Sequence, residues 1–177
     1  MSPIARPIVH DPIRRGGPER LVLALGSNLG DRHAVLGAAV ERIRAIPGVF
    51  VRAVSPFVES VAVRTTGPDT DAPPYLNGVL VGHTYLEPHR LLDATVAIED
   101  ELGRVRTERW GDRTIDIDVI EVGSRRLADA RLTLPHPRAA ERSFVLGPWL
   151  AVEPDARLTG AGPVAELLAR LETGTGA

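Results

Sequence analysis

Residues 109–119 read RWGDRTIDIDV. Over 114–119 polar and apolar residues alternate, which is the period of a β-strand. Ile115, Ile117 and Val119 share one face, and Asp116 and Asp118 the other. The rise of a strand sets the two carboxylates about 7 Å apart. Like charges on one sheet face destabilise it, and Asp is depleted in strands, where Ser or Thr would serve a wet face at lower cost. An antiparallel strand with one solvated face is one reading; a cation site is the other. The alternation alone does not choose between them.

Working outward, residues 104–113 carry Arg104, Arg106, Arg109 and Arg113 without periodicity, so we expect a loop ahead of the strand. Before it, residues 88–102 open on Pro88, carry Leu91, Leu92, Thr95, Ile98, Glu99 and Leu102 at helical spacing, and stop at Gly103. Residues 75–86 (YLNGVLVGHTYL) read as a strand. Residues 49–60 are β-rich, with Pro56 marking an edge or a bulge, and the stretch after them reads as a polar loop. LVLALGS at 21–27 reads as a buried strand. Asp31 is placed to cap a helix over 32–45, whose inner side is Val35, Leu36, Ala39, Val40 and Ile43, and Pro47–Gly48 stops it. Beyond the opening stretch come a hairpin with a return strand (124–137), a short helix with an apolar packing segment (138–155), and an amphipathic helix over 164–171. The order is β-α-β-β-α-β. That predicts an α+β, ferredoxin-like antiparallel sheet with helices on one face, C-terminal additions, and the other face free for a site.

Composition narrows the function. The chain has 177 residues, 44% of them hydrophobic, and a net charge of -2. That suits one domain with a real core; we expect it over 21–172, with a flexible extension at 1–20 and a disordered tail at 173–177. A nucleic-acid binder is usually basic, whereas the pI here is about 6.2. There is no cysteine, which excludes disulfides and thiolate metal sites. No apolar run approaches the ~20 residues of a membrane span, and the first twenty residues lack the apolar region of a secretory signal. We expect a cytoplasmic monomer that takes small molecules.

Four clusters carry candidate chemistry. The arginines at 104–113 present planar forks suited to phosphate oxygens, and adjacent carboxylates suit Mg2+, which binds one or two of them plus substrate phosphates. Together they can neutralise a polyphosphate, as phosphoryl transfer needs; a solvated charge run is the alternative. His136 lies between two prolines in RLTLPHPRAAERSF (131–144), beside Arg131, Arg138 and Arg142, and reads either as structural or as part of a nucleotide grip. Tyr75 and Asn77 share a strand face; Asn can read a heterocycle edge, and Trp110 and Phe144 could sandwich a flat ring or simply pack in the core. GSNLGDR (26–32) fits neither common phosphate-loop pattern and is more often a tight turn.

The blocks GSNLGDR, YLN, E-x-x-x-GR-x-R, RWG-x-RT-x-D-x-D, LT-x-PHPR and ER-x-F-V-L-x-P occur in that order between residues 21 and 155. They resemble the 6-hydroxymethyl-7,8-dihydropterin pyrophosphokinase family of folate biosynthesis. The resemblance implies a ferredoxin-like fold, and transfer of the pyrophosphoryl group of ATP to the pterin hydroxymethyl oxygen, with two Mg2+ ions. It implies that Asp116 and Asp118 ligate metal, with Asp116 the nearest candidate to take the hydroxyl proton. Arg104 and Arg113 would act in catalysis, and Arg106 and Arg109 with them on the triphosphate. Glu99, Val119, Arg131, Thr133, His136 and Arg142 would line ATP. Ser60, Val61, Val63, Tyr75, Asn77, Trp110 and Phe144 would hold the pterin.

The chain also departs from that family. Relatives look like Y-E-T-x-P-x-G where this chain has Val58, Ser60, Val61 and Ala62, and Val63 stands where a bulkier apolar residue often covers the pterin. Asp112 replaces the usual proline of R-W-G-P-R.

Overall fold

The computed structural model describes residues 17–60, 62–64, 67–69, 73–103 and 114–174. β1 (Glu19–Ser27) leads to α1 (Arg32–Arg44), then β2 (Val49–Val54) and β3 (Val58–Ser60). β4 (Ala62–Arg64) and β5 (Gly67–Asp69) precede β6 (Tyr75–Thr84), α2 (Pro88–Glu101) and β7 (Asp116–Val122). β8 (Leu127–Ala128) and β9 (Thr133–Leu134) follow, then a 3-10 turn (Ala139–Glu141) and α3 (Ser143–Val152). β10 (Arg157–Leu158), β11 (Gly162–Pro163) and α4 (Val164–Glu172) complete the described elements. The main sheet runs β2-β6-β1-β7, and β3 extends the β2 edge by pairing with the first residues of β6. Every pairing in it is antiparallel.

Local signals place these elements. The Asp31 carboxylate accepts from the Ala34 N–H at 3.0 Å, as the expected cap of α1. Pro88 opens α2, where a missing N–H costs nothing, and Gly103 after it takes a φ of 81° that disfavours any residue with a Cβ. Pro56 separates β2 from β3, as a proline without an N–H should. β1 begins at Glu19, before the apolar run, and part of the expected polar loop pairs as the β4–β5 hairpin. Within 138–155, read as a short helix with an apolar packing segment, the helix is α3 itself, and it continues through Pro148.

The sheet lies between two apolar layers. Leu21, Leu23, Leu25, Ile117 and Val119 meet Leu36, Ile43, Leu91 and Ile98 from α1 and α2. On the opposite face Val22, Val79, Val81 and Ile120 meet Val145, Leu146 and Trp149 of α3, with Val164 and Leu167 of α4 behind. The expectation of helices on one face only is therefore corrected. The mean apolarity of α3 explains the difference: Val145, Leu146 and Trp149 are buried almost completely and need a partner surface. What stays open on that face is the end formed by the last residues of β1 and the first of β6 and β7.

β7 carries one irregularity. Leu23 pairs with Val119 but Val22 pairs with Glu121, so Ile120 is an extra residue in the strand. A bulge of this kind bends a strand and re-aims its side chains. It also leaves the Ile120 carbonyl available, and the His136 N–H donates to it at 2.8 Å.

Candidate functional site

Register builds the site. Val58 pairs with Asn77, Asn77 with Gly26, and Gly26 with Asp116, so these residues form one row across four strands. Facing residues of an antiparallel pair share a sheet face, so Asn77 and Asp116 point the same way on either side of Gly26. Two strand spacings separate them by about 10 Å. Gly26 is the floor between them. A Cβ there would stand 3.2 Å from the Asn77 Oδ1 and 3.8 Å from the Tyr75 ring. Asn77 is buried, and its amide donates to the Ser60 hydroxyl at 2.8 Å, so its carbonyl end is turned toward the floor.

Asp118 stands beside this row, paired with Ala24. Its Oδ2 accepts from the Arg142 Nη1 at 2.7 Å and lies 3.8 Å from the His136 Nε2. Arg142 immediately precedes α3, and its guanidinium lies 5.7 Å from the centre of the Phe144 ring. His136 is oriented at two points: its own N–H on Ile120, and its Nδ1, which accepts the Arg138 N–H at 3.2 Å. In the neutral ring the proton is then on Nε2, facing Asp118. Burial holds the imidazole below its ordinary pKa; the Asp118 carboxylate pulls upward, and the Arg142 charge pushes down again. The β7 bulge is thus what brings the Pro-His-Pro segment to the carboxylates.

Of the residues expected from the sequence, Asp116, Asp118, Ser60, Tyr75, Asn77, His136, Arg142 and Phe144 gather at this open end or its rim. Others sit differently. Glu99 is only 2% exposed, and its carboxylate accepts the Ile117 N–H at 2.6 Å. It braces the outer edge of β7 between the two aspartates. The Val119 side chain lies in the core on the α1/α2 side, the face opposite the carboxylates. Arg131 is exposed and ion-paired with Asp93 of α2, while Thr133 is exposed in the β8–β9 hairpin. Arg104, Arg106, Arg109, Trp110, Asp112, Arg113 and Val61 lie outside the described residues; Val63 is described only as a β4 residue paired with Pro68.

Three contributors were not foreseen. Gly26, read at the overlap of the 21–27 strand and the turn after it, is the penultimate residue of β1, and its place as the floor between Asn77 and Asp116 was not foreseen. Arg32 spans the rim, donating to the Pro74 carbonyl at 2.7 Å and to Glu59 at 2.8 Å. Arg20 and Glu121 form a charged contact under α3. The sequence hints at that contact only through Glu121, a charge inside the apolar run VIEV (119–122).

A cation fits this arrangement by donor chemistry. Asp116 and Asp118 offer only carboxylate oxygens on one face, the set a hard ion such as Mg2+ takes when substrate phosphates complete its shell. Among the described residues there is no cluster of three or more His, Asp or Glu that could hold a metal without such help.

Residues 22–154 match the family described as 7,8-dihydro-6-hydroxymethylpterin-pyrophosphokinase (HPPK). The chain belongs to this family. It is 44% identical over 155 residues to the Methylorubrum extorquens protein named 2-amino-4-hydroxy-6-hydroxymethyldihydropteridine pyrophosphokinase, covering 86% of this chain and 94% of that one. Proteins of the same name are 42% identical in Pseudomonas aeruginosa (85% and 91% covered) and 39% identical in Mycobacterium tuberculosis (86% and 84% covered). Among solved structures it resembles a Plasmodium falciparum HPPK-DHPS triple mutant with pteroate, with a TM-score of 0.67 at 12% identity. That match covers 91% of this chain but 44% of the other, so this chain spans under half of that structure.

Proposed function

We propose that this chain transfers the pyrophosphoryl group of ATP to the hydroxymethyl oxygen of 6-hydroxymethyl-7,8-dihydropterin, giving AMP and the pterin diphosphate. It is an ATP-dependent diphosphotransferase of folate biosynthesis. The observation that carries the residue assignment is the row Asn77–Gly26–Asp116 with Asp118 and Arg142 beside it. It sets a heterocycle-reading amide on one side of a flat floor and phosphate-handling charge on the other. The strand order β2-β6-β1-β7 with α1 and α2 on one face supports a ferredoxin-like topology, and residues 21–172 form one pyrophosphokinase domain.

In this reading Asn77, oriented by Ser60, fixes the pterin edge, and the Phe144 ring covers the pterin from α3. The pterin hydroxyl oxygen forms the new bond to the β-phosphorus while the bond from that phosphorus to the AMP oxygen breaks, and the hydroxyl proton passes to the Asp116 carboxylate. Asp116 and Asp118 would hold two Mg2+ ions, which supply charge neutralisation on the phosphates and polarise their oxygens. Arg142 moves its fork from Asp118 to a phosphate oxygen, where preorganised charge favours the transition state. His136 presents Nε2–H beside the same oxygens. Arg104, Arg106, Arg109 and Arg113 would supply further guanidinium forks to the triphosphate oxygens.

The test is AMP release by the purified chain with Mg2+, ATP and hydroxymethyl-dihydropterin. One AMP per pterin consumed is expected. Absence of pterin-dependent AMP would overturn the proposal, and calorimetric pterin binding without turnover would mark a binding protein instead.

A further inference from the structure

A charged network lies beneath α3, away from the carboxylates. Glu121 is 2% exposed. Its carboxylate accepts from the Arg20 Nη2 at 2.8 Å, from the Thr159 hydroxyl at 3.0 Å and from the Thr159 N–H at 3.1 Å. The same guanidinium donates to the Arg157 carbonyl at 2.8 Å and to Glu153 at 3.1 Å, and stacks 5.3 Å from the Trp149 ring centre. The Trp149 Nε1–H donates to the same Glu153 oxygen at 2.8 Å, and Arg52 approaches Glu153 from outside at 3.6 Å. Buried charges of this kind add little net stability over apolar packing, so their arrangement calls for another account.

Geometry supplies it. β7 meets α3 at two places: Asp118 holds Arg142 at the start of the helix, and Glu121, through Arg20, holds Glu153 at its end. A ten-residue helix is a stiff rod of about 15 Å. Fixing its far end therefore fixes the near end. The bulge at Ile120 adds the residue that brings Glu121 to this contact.

We propose that Arg20, Glu121 and Glu153 are positioning residues that set α3 so that Arg142 and Phe144 stand at the substrates. This rests on the pyrophosphokinase reading for the identity of the substrates. Arg20→Lys keeps the charge but loses the fork that reaches three acceptors. Its kcat should fall on the order of ten-fold while its Michaelis constants for ATP and pterin rise several-fold, because a misplaced Arg142 loses transition-state charge as well as binding. Thr159→Val, a milder change, should show both effects more weakly, and serves if Arg20→Lys does not fold. A kcat and Michaelis constants equal to wild type in a folded variant, with only a lower Tm, would overturn the proposal. Side-chain nitrogen NMR of Arg142, assigned with Arg142→Lys, gives a readout independent of turnover. A slowly rotating guanidinium in the wild type should become free in Arg20→Lys, and an unchanged signal would overturn the proposal. A wild type without pterin-dependent AMP but with this NMR change would sink the activity alone.

Discussion

Asp118 is held by Arg142 at 2.7 Å and flanked by His136 at 3.8 Å, so its carboxylate has a counter-ion before any cation arrives. Metal and guanidinium compete for one group. Arg142→Met should therefore bind Mn2+ more tightly than the wild type when no nucleotide is present. The gain is roughly two- to five-fold, since Asp118 is 31% exposed and a pair open to water contributes only about 1 kcal/mol or less. Titration by electron paramagnetic resonance reads it, and weaker binding would show that Arg142 does not occupy the metal's ligand. Asp118→Ala should abolish turnover while leaving circular dichroism and the Tm near wild type, because the side chain is on the open face. Retained AMP release would remove its role. The two aspartates were legible from their alternation, but their neighbours were not. Sequence spacing puts Arg142 far from Asp118; only the bulge and the docking of α3 bring them together.

At the scale of elements, β7 is an edge strand, and Glu99 of α2 satisfies the Ile117 N–H that its partner β1 does not reach. Glu99 was read by its helical spacing as inward-facing, which the structure bears out; the family resemblance added a place on ATP, whereas here its carboxylate braces the strand. Glu99→Ala should cost about 2–3 kcal/mol in chemical denaturation through the unsatisfied buried N–H, and Glu99→Gln, which keeps an acceptor, about half as much. The β8–β9 turn is closed in the same manner. Asp129 accepts the Arg131 N–H at 2.8 Å and the Leu132 N–H at 2.9 Å, and its other oxygen meets His89 at 2.8 Å. Those backbone donors hold its pKa below the ordinary 3.8. A depressed carboxylate contributes stability above its unfolded pKa and loses it as pH falls through the folded one. Asp129→Ala should therefore lower the Tm at pH 7, and the gap to wild type should close below pH 3.8. A gap independent of pH would mean the turn is held by something other than the carboxylate. The hairpin itself was readable; its dependence on one aspartate and on α2 was not, because no periodicity records a contact between distant segments.

For the whole molecule, the β-α-β-β-α-β order was legible because each strand and helix carries its own period and its own stop. The second apolar layer was not. A continuous run such as 144–150, FVLGPWL, has no moment, so it announces burial without saying against what. That layer changes what the sheet is: β1, β6 and β7 serve two cores at once, and the site is the part of one face that α3 leaves open. Shared strands should make the two cores unfold together. Leu36→Ala, in the α1 layer, and Leu146→Ala, in the α3 layer, each empty a fully buried site and should each cost about 2–5 kcal/mol. Both variants should keep one denaturation transition with the slope of the wild type, whether followed by tryptophan fluorescence or by circular dichroism. Trp149 lies in the α3 layer, so with Trp110 replaced by Phe in every variant fluorescence watches that side while the far-ultraviolet signal watches all of it. In Leu146→Ala a fluorescence transition that precedes the dichroism would show α3 and α4 coming away from an intact sheet, and Arg142 and Phe144 would then belong to a separately folding layer.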